Sequence, residues 1–159
     1  MSTVGSGTFA PDVFPVKSEP ERMGRDGVPV LKELPLFEGM SSRHLRRIPA
    51  RAKRYGAGET IVRAGDPGNA FYVILDGEVL VQPPRRRAVT LKAGDSFGEM
   101  SLLDGAPRSA DIHAVGEVTT MVIGRAAFMK LVRSEPQIVS ALLRTLATRL
   151  RDAQRQPQY

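Results

Sequence analysis

The middle of the chain carries its apolar residues in short segments that glycine-containing turns separate. These segments are rich in Val, Ile, Phe and Tyr, residues that favour β-strands. They comprise residues 60–63, 71–75, 78–81, 89–92, 109–115 and 118–123. Short strands at such regular intervals predict a β-roll or sandwich. Asp76-Gly77 lies between two of them and predicts a two-residue hairpin, because a type I′ turn requires positive φ.

Helical patterns flank these strands. Residues 125–133 predict one helix, and Pro136, which suits the first turn of a helix, begins a second that runs to about residue 153. The second helix has a wide apolar stripe that must pack on a neighbour, formed at four-residue steps by Ile138, Leu142, Leu146 and Leu150. Towards the N-terminus, Ser41 and Ser42 are candidate N-caps of a short helix that Pro49 ends.

The chain divides into one domain and two tails. Residues 1–28 mix Gly, Ser, Pro and Thr with isolated charges and show no sustained period. Such a segment buries too little apolar surface to offset its ordering entropy, so it predicts a disordered tail. Residues 29–154 are long enough to form one domain with a real core, and residues 155–159 form a short C-terminal tail.

The residue types that are missing exclude several functions. The chain has no cysteine, so it forms neither a disulfide framework nor a thiolate metal site. His44 and His113 are its only histidines, which disfavours a metal site built on clustered histidines. Gly94-Asp-Ser96 could present a nucleophile, but no histidine base follows in a recognisable motif. We therefore expect neither a metal nor enzyme activity.

The distribution of apolar residues also bears on location. The longest apolar runs fall far short of the roughly 20 residues that a bilayer-spanning helix needs. The first fifteen residues lack both the basic residue and the apolar run of a secretory signal. We expect a cytoplasmic protein without a membrane span.

Residues 97–110, which read FGEMSLLDGAPRSA, have the chemistry of an anion site. Gly98 lets the backbone approach a ligand, and the residues after it can form a helical turn whose N-terminal amides face an anion. Arg108 can hold a phosphate bidentately, and Ser109 adds a hydroxyl donor. A carboxylate at Glu99 would repel a phosphate unless it accepts a hydrogen bond from an attached sugar hydroxyl. The segment therefore indicates a phosphorylated sugar as the ligand.

The same segment resembles the phosphate-binding cassette of the cyclic nucleotide-binding domain family. That cassette runs Phe-Gly-Glu, then apolar and small residues, then Arg, a small residue and Ala. The matching residues are Phe97, Gly98, Glu99, Arg108, Ser109 and Ala110. Glycine-punctuated segments at 55–59, 65–68 and 71–78 extend the resemblance, which covers about residues 31–154. The family includes domains of cyclic nucleotide-gated channels, protein kinase A regulatory subunits and the bacterial catabolite activator protein.

The resemblance implies both a fold and the roles of individual residues. The implied fold is mainly β: an eight-stranded, jelly-roll-like β-roll with a short N-terminal helix, a cassette helix and two C-terminal helices. Glu99 and Gly98 would bind the ribose, and the cyclic phosphate would be bound by Arg108, Ser109 and Ala110. The residues that support the cassette would be Phe97, Met100 and Ser101.

The base is expected to lie between a strand and the last helix. Val89 and Leu91 are candidates for its apolar wall, with ordinary core packing as the equal alternative. Leu146 and Arg149 are candidates for a lid that closes when the C-terminal helices move on a hinge near Gly124. These assignments follow from the resemblance and describe a sensor module that binds its ligand without turning it over.

The ligand and the partners are less sharply specified. Ser109 does not discriminate between bases, so we expect cyclic AMP on frequency alone, with cyclic GMP as the other candidate, and we expect no cofactor. The broad stripe on the last helix suits either a protein effector or a homodimer. The formal charge of +6 would attract nucleic acid, and a fragment or partner of a transcription regulator is the alternative function. Nucleic acid is disfavoured because only about five residues follow the last helix, too few for a helix-turn-helix.

Overall fold

The N-terminal helical segment packs against the β-roll. The computed structural model describes residues 28–155, so the predicted tails lie outside the described residues except at Val28 and Arg155. Helix α1 (Val28–Glu33), a 3-10 turn (Pro35–Phe37) and helix α2 (Ser42–Arg46) follow one another. The side chain of Ser41 accepts a hydrogen bond from the backbone N–H of His44 at 3.2 Å, which confirms the predicted cap.

Eight strands form the roll, as the resemblance implies. They are β1 (Ala50–Tyr55), β2 (Thr60–Val62), β3 (Ala70–Asp76), β4 (Glu78–Gln82), β5 (Val89–Lys92), β6 (Ser96–Phe97), β7 (Asp111–Ala114) and β8 (Val118–Gly124). The strands make two four-stranded antiparallel sheets, with the orders β1-β8-β3-β6 and β2-β7-β4-β5. The predicted fold class is confirmed.

The hairpin predicted at Asp76-Gly77 is wrong. Strand β3 lies in the first sheet and β4 in the second, so the chain turns a corner there and the two strands do not pair. Gly77 has a φ of +91°, and a Cβ on it would lie 2.3 Å from the carbonyl oxygen of Glu117. Glycine is therefore required at this position, because the chain passes there from one sheet to the other. A hairpin would also have required glycine, which is why the local sequence resembles one.

Two apolar clusters surround the first sheet. One lies between the sheet and the helices and includes Phe71, Met121 and Phe128, and the other lies between the two sheets and includes Tyr72 and Phe97. Three further helices complete the fold: α3 (Glu99–Asp104), α4 (Arg125–Ser134) and α5 (Pro136–Arg155). Ile138, Ala141 and Leu142 anchor the first half of α5 in the helical cluster, which leaves its second half to cross the cassette.

Two structural features are absent from residues 28–155. No helix in this part of the chain is both long and apolar enough to cross a membrane. Within the same residues, no group of three or more His, Asp and Glu side chains is placed to hold a metal ion.

Candidate functional site

The cassette begins where β6 ends and α3 begins, at Gly98. This glycine has a φ of +96°, a left-handed conformation that other residues rarely adopt. A Cβ there would lie 2.9 Å from the carbonyl oxygen of Ala70 and 3.0 Å from Nη1 of Arg108. Gly98 is thus needed both for the turn and for the close approach of the arginine.

Arg108 lies inside the cassette with only 7% of its surface exposed. Its Nη1 donates to the carbonyl oxygen of Gly98 at 2.8 Å and to Oγ of Ser101 at 2.9 Å, and its Nη2 donates to the carbonyl oxygen of Ala70 at 2.7 Å. These bonds fix the plane of the guanidinium. Among the described residues, Nε and the second hydrogen of Nη2 have no acceptor, so two of the five N–H donors are left for a ligand.

The surroundings of Arg108 are largely apolar on one side. Its guanidinium lies 5.9 Å from the ring centroid of Tyr72, and that ring stacks on Phe97 with centroids 4.8 Å apart. Burial lowers the pKa of the Arg108 guanidinium, Tyr72 and Glu99 oppose this, and Arg125 adds to it. Because an arginine ordinarily titrates above about 12, the group stays cationic at neutral pH.

The turn at residues 65–68 holds the backbone of Arg108 from the other side. The backbone N–H of Arg108 donates to the carbonyl oxygen of Asp66 at 2.8 Å, and its own carbonyl accepts from the N–H of Gly65 at 2.9 Å. A Cβ on Gly68 would lie 2.3 Å from Oγ of Ser101. This second glycine lets the turn pack directly on the arginine and its serine partner.

Glu99 connects the cassette to the last helix. Its side chain is 3% exposed, and its Oε1 accepts from Nη1 of Arg149 at 2.8 Å. Nη2 of Arg149 donates to the carbonyl oxygen of Ser96, so the arginine bridges the end of β6 and the start of α3. Arg149 therefore fastens the second half of α5 to the cassette through a partly buried ion pair and a backbone hydrogen bond.

The second oxygen of the Glu99 carboxylate has no such partner. Oε2 is buried and has no hydrogen-bond donor among residues 28–155. Most buried polar atoms have a partner, so an orphan in a cassette with free arginine donors indicates a place for a ligand hydroxyl.

The remaining cassette residues divide between inside and outside. Ala110 and Ser101 are buried, and Ser101 contributes its hydroxyl to Arg108. Ser109 and Met100 are exposed, with Met100 at 51%. The structure thus brings Glu99, Ser101 and Arg108 together in the cassette and leaves Ser109 exposed.

The candidate base wall and lid lie on opposite elements. Leu91 pairs with Val79, and Val89 pairs with Val81, so all four side chains share one face of the second sheet. Leu91 packs on the inter-sheet cluster, whereas Val89 is 40% exposed. Leu146 and Arg149 are both half-buried on α5, but only Arg149 makes a polar contact with the cassette.

Several partners of the site carry no signal in the sequence. Ala70 and Ser96 act through backbone carbonyls, which no side-chain pattern reveals. Tyr72 lies in an apolar run whose spacing indicates only a strand, so its position against Arg108 follows from the sheet pairing of β3 with β6.

A family model and curated relatives match this chain. Residues 52–135 match the model described as the cyclic nucleotide-binding domain. A cAMP-dependent protein kinase regulatory subunit of Hypocrea atroviridis is 31% identical over 103 residues, 64% of this chain and 22% of that protein. A cyclic nucleotide-gated potassium channel of Mesorhizobium japonicum is 35% identical over 118 residues, 73% of this chain and 33% of the channel. The chain thus spans between about a fifth and a third of these two relatives.

Solved structures are similar as well. The catabolite activator protein of Thermus thermophilus superposes with a TM-score of 0.66 at 33% identity, over 76% of this chain and 60% of that one. The regulatory domain of Toxoplasma gondii PKA with cAMP superposes with a TM-score of 0.67 at 26% identity, over 79% of this chain and 50% of that one.

Proposed function

Because the chain belongs to the cyclic nucleotide-binding domain family, we propose that its cassette binds cyclic AMP, with cyclic GMP as the alternative, and relays binding through its C-terminal helices. The observation that carries the proposal is the orphan Oε2 of Glu99, buried in the same cassette that contains the unused donors of Arg108. A cyclic nucleotide supplies what both groups lack, a sugar hydroxyl for the carboxylate and a phosphate for the guanidinium.

The phosphate and the ribose are held by opposite charges in this arrangement. Arg108 presents Nε and one Nη2 hydrogen to the cyclic phosphate, while its other donors stay on Gly98, Ser101 and Ala70. Glu99 accepts the ribose hydroxyl on Oε2 while Arg149 remains on Oε1. The arginine needs no reorganisation to bind, because its protein contacts already fix its plane.

The base lies between the second sheet and α5. Val89 and Leu91 provide the apolar wall, and Leu146 provides a half-buried apolar contact from the helix. Ser109 follows Arg108 directly, and we expect its hydroxyl to donate to the phosphate. This placement agrees with the order of the elements, since β5 precedes the cassette and α5 crosses it.

The relay runs through the Glu99 carboxylate. A ligand hydroxyl on Oε2 and Arg149 on Oε1 share one buried charge, so the position of α5 affects ligand binding and the ligand affects α5. The helix moves on a hinge near Gly124, where β8 passes into α4. Such a switch requires that the nucleotide bind more tightly when α5 is docked than when it is released.

Two relatives support cyclic AMP over cyclic GMP. A regulatory subunit of a cAMP-dependent protein kinase is similar in sequence, and a PKA regulatory domain with cAMP is similar in structure. We propose that the domain acts as a binding module without catalytic activity. Its C-terminal helix would contact a protein effector, and we propose that both proteins are cytoplasmic.

Calorimetric titration tests the ligand. Cyclic AMP and cyclic GMP are titrated into the wild-type chain, Arg108→Ala and Arg144→Ala, an exposed arginine of α5 that serves as the matched control. We expect Arg108→Ala to weaken binding by roughly tenfold or more, from the loss of hydrogen bonds to a charged group, and Arg144→Ala to leave it unchanged. No heat from either nucleotide with a folded wild-type chain would refute the binding proposal.

Hydrogen exchange tests the relay separately. Backbone amides of residues 137–155 should become more protected when cyclic AMP saturates the cassette, because the ligand favours the docked helix. If the amide protection of α5 does not change at saturating cyclic AMP, the binding proposal still stands, but the proposal that binding is relayed by movement of α5 is refuted.

A further inference from the structure

The β4–β5 turn carries three consecutive arginines that differ in their surroundings. Arg85 and Arg87 are exposed, whereas Arg86 is half-buried. Nη1 of Arg86 donates to the carbonyl oxygen of Ala153, near the end of α5, at 3.4 Å. The side-chain amide of Gln82 donates to the carbonyl oxygen of Arg86 at 3.4 Å, which ties the turn to the end of β4.

The Ala153 carbonyl needs a partner from outside its helix. It lies among the last four residues of α5, whose carbonyls have no intrahelical donor. The residue four positions further on is Pro157, which has no N–H to donate. A cation at this end of the helix also complements the partial negative charge of the helix dipole. Arg86 meets both requirements.

The backbone of the turn is strained at the residue before Arg86. Arg85 has a φ of +60°, the one non-glycine residue with positive φ among residues 28–155. Such a conformation persists only where surrounding contacts hold it. Here the contacts are those of Arg86 and Gln82, so the strain accompanies the placement of Arg86 against α5.

We propose that Arg86 positions Arg149 on Glu99 by holding the end of α5 against the β-roll. We call this contact the latch; it is the second contact that holds α5, after the ion pair of Arg149. Ala153 and Arg149 are four residues apart, about one helical turn, so a contact at Ala153 limits the movement of the arginine. The last two turns of α5 are thereby held at two places, at the cassette by Arg149 and at the β4–β5 turn by Arg86. The inference rests on the proposed function, because the latch regulates the same nucleotide site.

A pair of alanine variants tests the latch without any ligand. Arg86→Ala removes the contact, and Arg87→Ala removes an exposed arginine of the same turn as the control. We expect amide exchange at residues 146–155 to rise about three- to tenfold in Arg86→Ala, the equivalent of one hydrogen bond, and to stay at the wild-type rate in Arg87→Ala. Equal exchange in the two variants would overturn the latch, whether or not the chain binds a nucleotide.

A double-mutant cycle tests the positioning role. Arg86→Ala should raise the dissociation rate of a fluorescent cyclic AMP analogue about three- to tenfold in the wild-type background and leave it nearly unchanged in an Arg149→Ala background. Equal effects in both backgrounds would mean that Arg86 acts independently of Arg149 and would overturn this role. Absence of binding in the wild type would refute the proposed function instead, while the ligand-free exchange result would still stand.

Two substitutions at Arg85 test the geometry of the turn while leaving Arg86 in place. Glycine adopts positive φ without strain, so Arg85→Gly should keep the latch and the wild-type exchange rate. Valine strongly disfavours positive φ, so Arg85→Val should raise exchange at residues 146–155 as Arg86→Ala does. Both variants remove the same charge. Identical amide exchange at residues 146–155 in the two would therefore show that the backbone conformation at residue 85 does not determine the contact between Arg86 and Ala153.

Discussion

Glu99 and Arg149 lie fifty residues apart in the chain and form an ion pair that is buried at the carboxylate, with Nη1 of the half-buried arginine 2.8 Å from Oε1 of Glu99. The other carboxylate oxygen, Oε2, has no donor in the part of the chain that the structure describes. One carboxylate therefore offers separate oxygens to the last helix and to a ligand. Each partner reduces the free energy needed to keep the charge buried, which makes their effects on each other reciprocal.

Removing Arg149 should destabilise the fold. Arg149→Ala leaves the buried Glu99 carboxylate without its only cation contact within the described residues, and we expect the free energy of unfolding to fall by about 1–3 kcal/mol. Urea unfolding of this variant is compared with Arg151→Ala, an exposed arginine two residues away. Adding Glu99→Gln should recover part of the loss, because an amide is less costly to bury unpaired than a charge. If Arg149→Ala and Arg151→Ala unfold at the same midpoint, the ion pair contributes nothing.

Replacing Arg108 by lysine should separate charge from geometry. Lysine keeps the positive charge but lacks the planar fork that contacts three acceptors, so we expect Arg108→Lys to weaken nucleotide binding by about tenfold. The binding constants come from the same titration for wild type, Arg108→Lys and Arg63→Lys, which changes an exposed arginine in the same way. Wild-type affinity in Arg108→Lys would mean that the charge alone is sufficient.

Sequence reasoning located the cassette because its chemistry is contiguous. Phe97, Glu99, Arg108 and Ala110 lie within 14 residues, on a short strand, the helix after it and the loop that follows. The last two helices were also predictable, since their apolar period is local. Strand β1 was not predicted, because its sequence ARAKRY has no apolar run: three of its six residues are charged, and these are exposed at the edge of the sheet.

The contacts that remained hidden depend on the tertiary fold. Asp76-Gly77 has the local pattern of a hairpin, and only the pairing of β3 with β8 and of β4 with β7 shows that the chain changes sheets there. Arg149 was one of two lid candidates on α5, and its contact with Glu99 depends on the path of the helix across the cassette. Backbone acceptors such as Ala70 have no signature in the sequence.

Filling the space at Gly68 should disrupt the support of Arg108. A Cβ there would lie 2.3 Å from Oγ and 2.7 Å from Cβ of Ser101, so we expect Gly68→Ala to lower the free energy of unfolding by about 1–3 kcal/mol. Ser101→Gly removes both of these atoms and should reduce the penalty in the double variant. Gly116→Ala is the control, because a Cβ at that glycine meets no atom within 4 Å. Urea midpoints measure all four variants, and an unchanged midpoint in Gly68→Ala would contradict the packing.

The two tyrosines between the sheets should make the fold sensitive to alkali. Burial raises the pKa of Tyr55 and of Tyr72; for Tyr55, Tyr72 and Glu59 add to the effect, while Arg51 and Thr120 oppose it. The pKa values of both phenols are higher in the folded than in the unfolded chain, so the fold favours their neutral forms. Their contribution to the free energy of unfolding is therefore complete below about pH 10 and is lost as the pH rises further. Urea unfolding followed across that range should give a falling free energy of unfolding in the wild type.

Phenylalanine variants assign this loss to the two phenols. Tyr55→Phe and Tyr72→Phe remove one ionising group each and leave the apolar ring, so each should make the fall in stability with pH less steep, and the double variant should be the least steep. Ultraviolet absorbance of the phenolate provides an independent measurement, since both groups should ionise in the wild type only as the protein unfolds. A double variant with the wild-type pH dependence would show that other groups cause the alkaline unfolding.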